Sequence, residues 1–236
     1  DNRNFGFFVE LFNINNIKIR LKGLDMGLFI TFEGVEGCGK STQIALLHDY
    51  IAKKGLEALT IREPGGTAIG EAVRQILLDS KSEIGPMAEL LLYEACRAEL
   101  VLKVIRPALK SGKVVISDRF MDSTVAYQGF GRGLDIEAIN RLNRLSVGDT
   151  LPDLTILLDC DPEAGLRRAL ARIENGKGPK EDRFEREELA FHTRVREGFL
   201  GIAKDEKRVR LVDASPPREI ASIHGEICDI MIKMGY

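Results

Sequence analysis

Five short apolar runs recur along the chain, and longer segments whose apolar positions repeat with helical spacing lie between them. The runs predict strands at 28–33, 58–62, 114–117, 154–158 and 209–212. The other segments predict helices at about 40–54, 68–79, 88–110, 136–147, 163–173, 183–203 and 217–234. Strands that are apolar throughout are typical of a parallel sheet buried on both faces. The pattern therefore predicts an α/β fold, a five-stranded parallel sheet with helices on both faces.

Two segments interrupt this alternation. Residues 1–25 are rich in Asn and precede Met26, and we interpret them as an N-terminal extension that is not part of the fold. We expect residues 26–236 to form one domain, since no repeat or linker divides them. Residues 174–182 contain turn formers and no apolar residue. Either they form a solvated surface loop, or they belong to a short lid, at about 172–183, that brings arginines over a bound nucleotide.

A phosphate-binding loop directly follows the first predicted strand. Residues 34–42 complete the pattern G-x-x-x-x-G-K-[ST], between an apolar strand and a predicted helix. The glycines allow successive N–H groups to turn inward around an anion. We expect Lys40 to reach the β- and γ-phosphates and the Ser41 hydroxyl to bind Mg²⁺. The predicted ATP-binding residues are Gly34, Val35, Glu36, Gly37, Cys38, Gly39, Lys40, Ser41 and Thr42.

A carboxylate and a guanidinium, Asp118 and Arg119, follow the third predicted strand. Ligands of open parallel sheets bind beyond the carboxyl ends of the strands, so we expect both side chains to face the same crevice as the phosphate loop. Asp118 could hold Mg²⁺ directly or through water, and Arg119 could bind a phosphoryl group in a bidentate manner. A surface ion pair at a strand end is the alternative.

Composition narrows the range of functions. The chain has 236 residues, 44% of them hydrophobic, which suits one α/β domain with a substantial core. Its formal charge of −2 argues against a nucleic-acid partner. The cysteines form no C-x-x-C pair, so a zinc site is not expected. Unpaired cysteines without a signal sequence indicate a cytoplasmic location, and no apolar run is long enough to predict a membrane span.

Further motifs resemble those of the thymidylate kinases, in their bacterial form. They are Arg-Glu-Pro-Gly-Gly-Thr at 62–67, Leu-Leu-Tyr-Glu-Ala-Cys-Arg-Ala at 91–98, Asp-Arg-Phe-Met-Asp-Ser-Thr-Val-Ala-Tyr-Gln-Gly at 118–129, Asp-Arg-Phe-Glu at 182–185 and Phe-His-Thr-Arg-Val-Arg at 191–196. The resemblance extends from about residue 26 to the C-terminus. It implies a P-loop kinase that transfers the γ-phosphoryl group of ATP to dTMP, gives dTDP, requires Mg²⁺ and forms a homodimer.

The resemblance also implies a set of residues that contact dTMP: Glu36, Arg62, Pro64, Tyr93, Arg97, Arg119, Thr124, Tyr127 and Gln128. Tyr93 would stack on thymine, where relatives usually have Phe; a position in the helix core is the alternative. Arg97 would donate to a base carbonyl, and Thr124 would meet the ring N–H. Tyr127 would occupy the space of a ribose 2′-hydroxyl, and Gln128 would line the same pocket.

The remaining implied roles concern phosphate, sugar and metal. Arg119 would hold the acceptor phosphate, and Glu36 would lie near the 3′-hydroxyl and the metal. Glu163 would join Ser41 and Asp118 in the magnesium site; the alternative is a carboxylate that only interacts favourably with the dipole of the helix it begins. Arg62 and Pro64 would border the nucleoside.

Phosphoryl transfer needs positive charge around the moving group, so we expect catalytic cations beyond Lys40 and Arg119. The phosphate loop has no arginine. Arg172 is therefore the first candidate and Arg183 the second, since both flank the polar segment.

Two alternatives remain open at this point. The chain could phosphorylate another deoxynucleotide or a deoxynucleoside. It could also be a phosphate-loop ATPase or switch protein, which would hydrolyse its nucleotide without an acceptor.

Overall fold

The computed structural model describes residues 27–175 and 183–236. Its five strands are β1 (Phe29–Glu33), β2 (Ala58–Arg62), β3 (Val114–Asp118), β4 (Leu154–Asp159) and β5 (Val209–Asp213). They form a parallel sheet in the order β2-β3-β1-β4-β5. The predicted sheet and its five strands are therefore confirmed. The predicted extension at 1–25 and most of the predicted lid lie outside the described residues, so the domain division stays a prediction.

Helices cover both faces of the sheet. They are α1 (Lys40–Lys53), α2 (Ala68–Leu78), α3 (Pro86–Leu100), α4 (Arg106–Lys110), α5 (Met121–Thr124), α6 (Ile136–Val147), α7 (Pro162–Glu174), α8 (Leu189–Asp205) and α9 (Ile220–Lys233). Two π-helical segments, Val101–Ile105 and Val125–Gly131, continue α3 into α4 and extend α5. None of the helices in the described ranges is long and apolar enough to cross a membrane.

The structure corrects several predicted helices. The helix expected at 183–203 begins only at Leu189, because Phe184 turns into the core and its carbonyl oxygen meets a ring nitrogen of His192. The helix expected at 217–234 begins at Ile220. The helical stretch over residues 121–131 was not predicted. Its glycines lower helix propensity, which is why the sequence pattern did not indicate a helix. Gly131 has a packing reason, because a Cβ there would come within 2.6 Å of the Phe191 ring.

The core explains why β1 carries apolar residues on both of its faces. Ile30 and Phe32 pack into one hydrophobic cluster, and Phe29 packs into a second cluster, with Phe120 at a ring centroid distance of 4.9 Å. Alternate side chains of a strand point to opposite faces, so β1 is buried on both sides. Its carboxyl end, beside that of β3, is thereby fixed at the centre of the sheet edge that carries the candidate site.

Candidate active site

The phosphate loop connects β1 to α1 through glycines that have positive φ. Gly34, Gly37 and Gly39 have φ angles of 137°, 66° and 99°, which a side chain would disfavour. The Lys40 ammonium folds over the loop and donates to the carbonyl oxygens of Gly34, at 3.0 Å, and Val35, at 3.1 Å. The loop thus holds its cation at the anion-binding concavity.

A crevice of about 720 Å³ opens at the carboxyl ends of the strands. It collects most of the predicted site residues: Glu36, Gly37, Cys38, Gly39, Lys40, Ser41, Thr42, Arg62, Pro64, Tyr93, Arg97, Asp118, Arg119, Thr124, Tyr127, Gln128 and Arg172. Gly34, Val35, Glu163 and Arg183 do not line it. One crevice therefore joins the phosphate loop to the predicted acceptor residues.

Two predicted metal ligands lie together at this crevice. The Ser41 hydroxyl donates to Asp118 Oδ2 at 3.4 Å. Hydroxyl and carboxylate oxygens suit Mg²⁺, which keeps several waters and substrate oxygens in its coordination shell. Glu163 is instead exposed at the start of α7, outside the crevice lining. Within the described residues no group of three or more His, Cys, Asp or Glu side chains could enclose a metal.

Arg119 has an unusual backbone conformation for a residue with a side chain. Its φ is 70°, in the left-handed region. Its N–H donates to the Phe32 carbonyl at 2.9 Å, and its own carbonyl accepts from the Ser117 hydroxyl at 2.7 Å. Such conformations cost about 1–3 kcal/mol and persist where surrounding contacts determine them. These bonds turn the Arg119 side chain into the crevice.

The guanidinium of Arg119 meets the carboxylate of Glu36. Arg119 donates to Glu36 Oε1 at 3.1 Å and to the Tyr127 hydroxyl at 2.8 Å. The Tyr127 hydroxyl in turn donates to the same Glu36 oxygen at 2.5 Å. Burial alone would raise the pKa of Glu36, but the hydrogen bond from His192 and the charge of Arg119 lower it to about 2. Glu36 is therefore an ionised carboxylate inside the crevice.

Glu33, which the sequence analysis did not identify, lies behind Arg119. Its Oε1 accepts from the Phe120 N–H at 2.8 Å and its Oε2 accepts from the Ser123 hydroxyl at 2.6 Å. Ser123 also accepts from Arg119 at 3.0 Å. Burial, and then the charge of Asp122, raise the pKa of Glu33 to about 8. A glutamate at the end of a mostly apolar strand, directly before the phosphate loop, was a signal that could have identified this position.

Arg97 is almost fully buried, and its hydrogen bonds are already formed. Its five N–H donors bind protein acceptors: Glu63 Oε2, Glu94 Oε1, Asn143 Oδ1, the Phe120 carbonyl and Thr124 Oγ1. Burial raises the pKa of Glu63 to about 7 although the charge of Arg97 lowers it. In this arrangement Arg97 has no spare donor, so its predicted bond to a base carbonyl would replace one of these contacts. The role stays a prediction.

Arg183 pairs with a buried carboxylate instead of facing the phosphate loop. Its guanidinium lies 2.6 Å from Glu89, which is 0% exposed, and donates to the Leu77 carbonyl at 3.1 Å. Gln128 donates to Glu89 as well, at 2.8 Å. The second candidate for the catalytic cation is therefore engaged behind Gln128, outside the crevice lining.

Helix α7 brings two arginines to the crevice. Arg168 and Arg172 both line it, and their four-residue spacing places them on one helix face. Only Arg172 was predicted, although this spacing was visible in the sequence. A Cβ on Gly37 would come within 2.0 Å of the Gly165 carbonyl oxygen, so the phosphate loop and α7 touch backbone to backbone.

Comparison with known proteins gives one consistent family. A family model described as thymidylate kinase matches residues 32–227. The thymidylate kinase of Geotalea daltonii is 55% identical over 191 residues, which cover 80% of this chain and 89% of that protein. That of Gloeobacter violaceus is 56% identical over 188 residues, covering 79% and 87%. The crystal structure of thymidylate kinase from Ehrlichia chaffeensis has a TM-score of 0.69 at 36% identity and covers 87% of this chain and 98% of that one.

Proposed function

We infer that this crevice is the site of phosphoryl transfer, because the chain belongs to the thymidylate kinase family. The protein is an enzyme that phosphorylates dTMP to dTDP, in the synthesis of dTTP, and ATP is its phosphoryl donor. The observation that carries the site assignment is the shared crevice. It places the phosphate loop with Lys40 and the guanidinium of Arg119 in one enclosure.

This arrangement suits the chemistry of the reaction. The transferred phosphoryl group carries its charge on equatorial oxygens, so catalysis consists mainly of alignment and charge stabilisation. Lys40 and the loop N–H groups would hold the ATP phosphates, and Arg119 would hold the phosphate of dTMP. Glu36 already fixes Arg119 and Tyr127 at the position proposed for the sugar. Tyr127 would there fill the space of a 2′-hydroxyl and favour the deoxy sugar.

We assign the additional cation to Arg172, with Arg168 beside it. Both are exposed on α7 and line the crevice. Their guanidinium groups would bind the β- and γ-phosphates, where charge develops as the bond to the leaving oxygen breaks. Arg183 is less suitable because it is paired with the buried Glu89 and does not line the crevice.

Mg²⁺ fits the pair formed by Ser41 and Asp118. The ion would bind these two oxygens and the ATP phosphates, and it would neutralise charge on the polyphosphate. The exposed position of Glu163 gives it no support as a third ligand.

The proposed homodimer would use exposed apolar side chains on α3, on the π-helical segment that continues it, and on α6. Leu91 and Leu102 are 49% and 56% exposed, and Leu145 is 81% exposed. Exposed apolar side chains concentrated on packed helices are typical of an interface. Light scattering should give a dimer for the wild type and for Leu211→Glu on β5, and a monomer for Leu145→Glu. A wild-type monomer would refute this proposal.

The cytoplasmic location stays a prediction, supported by the free cysteines.

A coupled assay of ADP release tests the proposed function. Rates with ATP, Mg²⁺ and dTMP are compared with rates without acceptor, without Mg²⁺, and with dUMP, dCMP, dGMP or thymidine instead of dTMP. We expect dTMP to be the preferred acceptor and ADP release to require both dTMP and Mg²⁺. Preference for another acceptor, or equal ADP release without any acceptor, would contradict the proposal and favour a different kinase or an ATPase.

A further inference from the structure

His192 on α8 is a buried histidine whose two ring nitrogens both face oxygen atoms. The side chain is 0% exposed. Its Nδ1 lies 3.1 Å from Glu36 Oε2, and its Nε2 lies 3.0 Å from the carbonyl oxygen of Phe184. The ring therefore bridges the phosphate loop and the turn that precedes α8.

Both oxygen atoms can only accept hydrogen bonds. A backbone carbonyl has no hydrogen to donate, and the Glu36 carboxylate already accepts from Arg119 and from the Tyr127 hydroxyl. The contact between Nδ1 and Glu36 is therefore a hydrogen bond in which the ring donates. A ring that lacked a hydrogen on Nδ1 would place a lone pair against a carboxylate oxygen, which is unfavourable.

Several charged groups surround the contact between His192 and Glu36. Glu36 is the carboxylate that faces the ring, and its other oxygen binds Arg119. The charge of Lys40 also acts on Glu36. Glu185, in the adjacent turn, has a pKa raised by burial and by the charge of Glu36. On α8 itself, Arg196 is already paired with Asp159 at 2.7 Å.

We propose that His192 is a positioning residue for phosphoryl transfer. Its ring holds one oxygen of Glu36 while Arg119 and Tyr127 hold the other, so the carboxylate plane is fixed from two sides. A fixed Glu36 in turn holds the Arg119 guanidinium at the acceptor phosphate. His192 does not reach the substrates in this arrangement. The inference rests on the proposed function of the crevice.

Two variants separate the two hydrogen bonds of the ring. The amide nitrogen of His192→Asn can replace Nδ1 and keep the bond to Glu36, whereas that of His192→Gln can replace Nε2 and keep only the bond to Phe184. A hydrogen bond to a charged group corresponds to a rate factor of roughly 10 to 100. We expect kcat to fall by roughly that factor in His192→Gln and by less than about 10-fold in His192→Asn. The KM for ATP should stay within about 3-fold of wild type in both.

Steady-state kinetics and thermal unfolding of both variants test whether kcat falls further in His192→Gln than in His192→Asn. Equal kcat values in the two variants, or loss of thermal stability with unchanged kcat, would overturn the proposal and leave His192 a structural residue. Failure of the proposed function is distinguishable, because it would appear as a wild-type enzyme without dTMP-dependent ADP release.

A spectroscopic measurement on the wild-type protein is independent of how the variants fold. The chain has three histidines, so ¹⁵N-imidazole labelling with assignment by single His→Gln variants is practical. We expect one histidine to show a protected hydrogen on Nδ1, and that signal to vanish in His192→Gln. A His192 ring without a hydrogen on Nδ1 would refute the bond to Glu36 and with it the proposal.

Discussion

Several side chains behind the acceptor side of the crevice are buried and bonded to one another, whereas Ser41, Arg168 and Arg172 on the ATP side face solvent. Arg97 is 1% exposed and Glu89 is 0% exposed, and each binds several partners. On the ATP side, Arg168 and Arg172 are exposed, and Ser41 makes one long hydrogen bond, of 3.4 Å. The contrast indicates that the acceptor pocket is organised before substrate binds, while the ATP side is completed by the nucleotide and its metal.

Because of this difference, substitutions on the two sides of the crevice should affect different properties of the protein. On the ATP side, removing a side chain that has no structural contacts should change the free energy of unfolding little and should lower kcat. On the acceptor side, the same residues support the fold and the pocket, so their loss should appear first in stability. The following variants test the contrast.

Arg172→Ala should have the largest effect on catalysis. Loss of a cation that stabilises the transferring phosphoryl group should lower kcat by about 10³-fold or more, with little change in the KM for dTMP or in stability. Steady-state kinetics measure this. Arg167→Ala provides the matched control, since Arg167 is exposed on the same helix but does not line the crevice. Unchanged turnover in Arg172→Ala would rule out the assignment.

Arg97→Met should mainly lower stability. It leaves the carboxyl groups of Glu63 and Glu94 buried without their cation, which should lower the free energy of unfolding by about 3–4 kcal/mol. Urea titration measures the change. Arg141→Ala is the control, because its pair with Glu137 is 63% and 76% exposed and should contribute less than about 0.5 kcal/mol. Equal losses in the two variants would contradict the comparison.

Two carboxylates three residues apart should respond to pH in opposite directions. The folded-state pKa of Glu36, about 2, lies below its ordinary 4.5, so its stabilisation is present above pH 4.5 and is lost as the pH falls toward 2. That of Glu33, about 8, lies above 4.5, so stability is lost as the pH rises from 4.5 to 8.

Glu36→Gln should therefore be less stable than wild type near pH 7, by roughly 3 kcal/mol at most, and approach it in acid. Glu33→Gln should gain stability relative to wild type between pH 5 and pH 8. Urea titrations across this pH range measure both differences. Parallel pH profiles for the two variants would contradict the assigned charges.

Tyr93→Phe should have the smallest effect. The ring lines the crevice, and burial raises the pKa of the hydroxyl. No hydrogen bond of that hydroxyl is found within the described residues, so its removal should change the KM for dTMP by less than about fivefold. Tyr93→Ala is the comparison, because it also removes the proposed stacking surface. Equal KM values in all three proteins would refute stacking.

The sequence predicted those parts of the molecule that local pattern determines. Buried strands have a distinct composition, and the phosphate loop is contiguous, so β1 and Lys40 were found directly. The role of Glu33 depends on contacts with residues 87 and 90 positions away. Likewise, the pairing of Arg183 with Glu89 depends on how α3 approaches the turn before α8. Local spacing contains no information on such distant partners.

The contact between Gly37 and Gly165 sets the distance at which α7 presents positive charge. No side chain separates the two backbones, so the first turn of α7 is held directly against the phosphate loop. At 1.5 Å per residue, Arg168 and Arg172 lie about 5 and 10 Å further along the helix axis. One residue inserted between Gly165 and Arg168 would lengthen this path only slightly, but it would rotate both guanidinium groups by about 100°, away from the polyphosphate. The direction in which the two arginines point around the helix axis, more than their distance from the phosphate loop, therefore determines whether they can contact the polyphosphate.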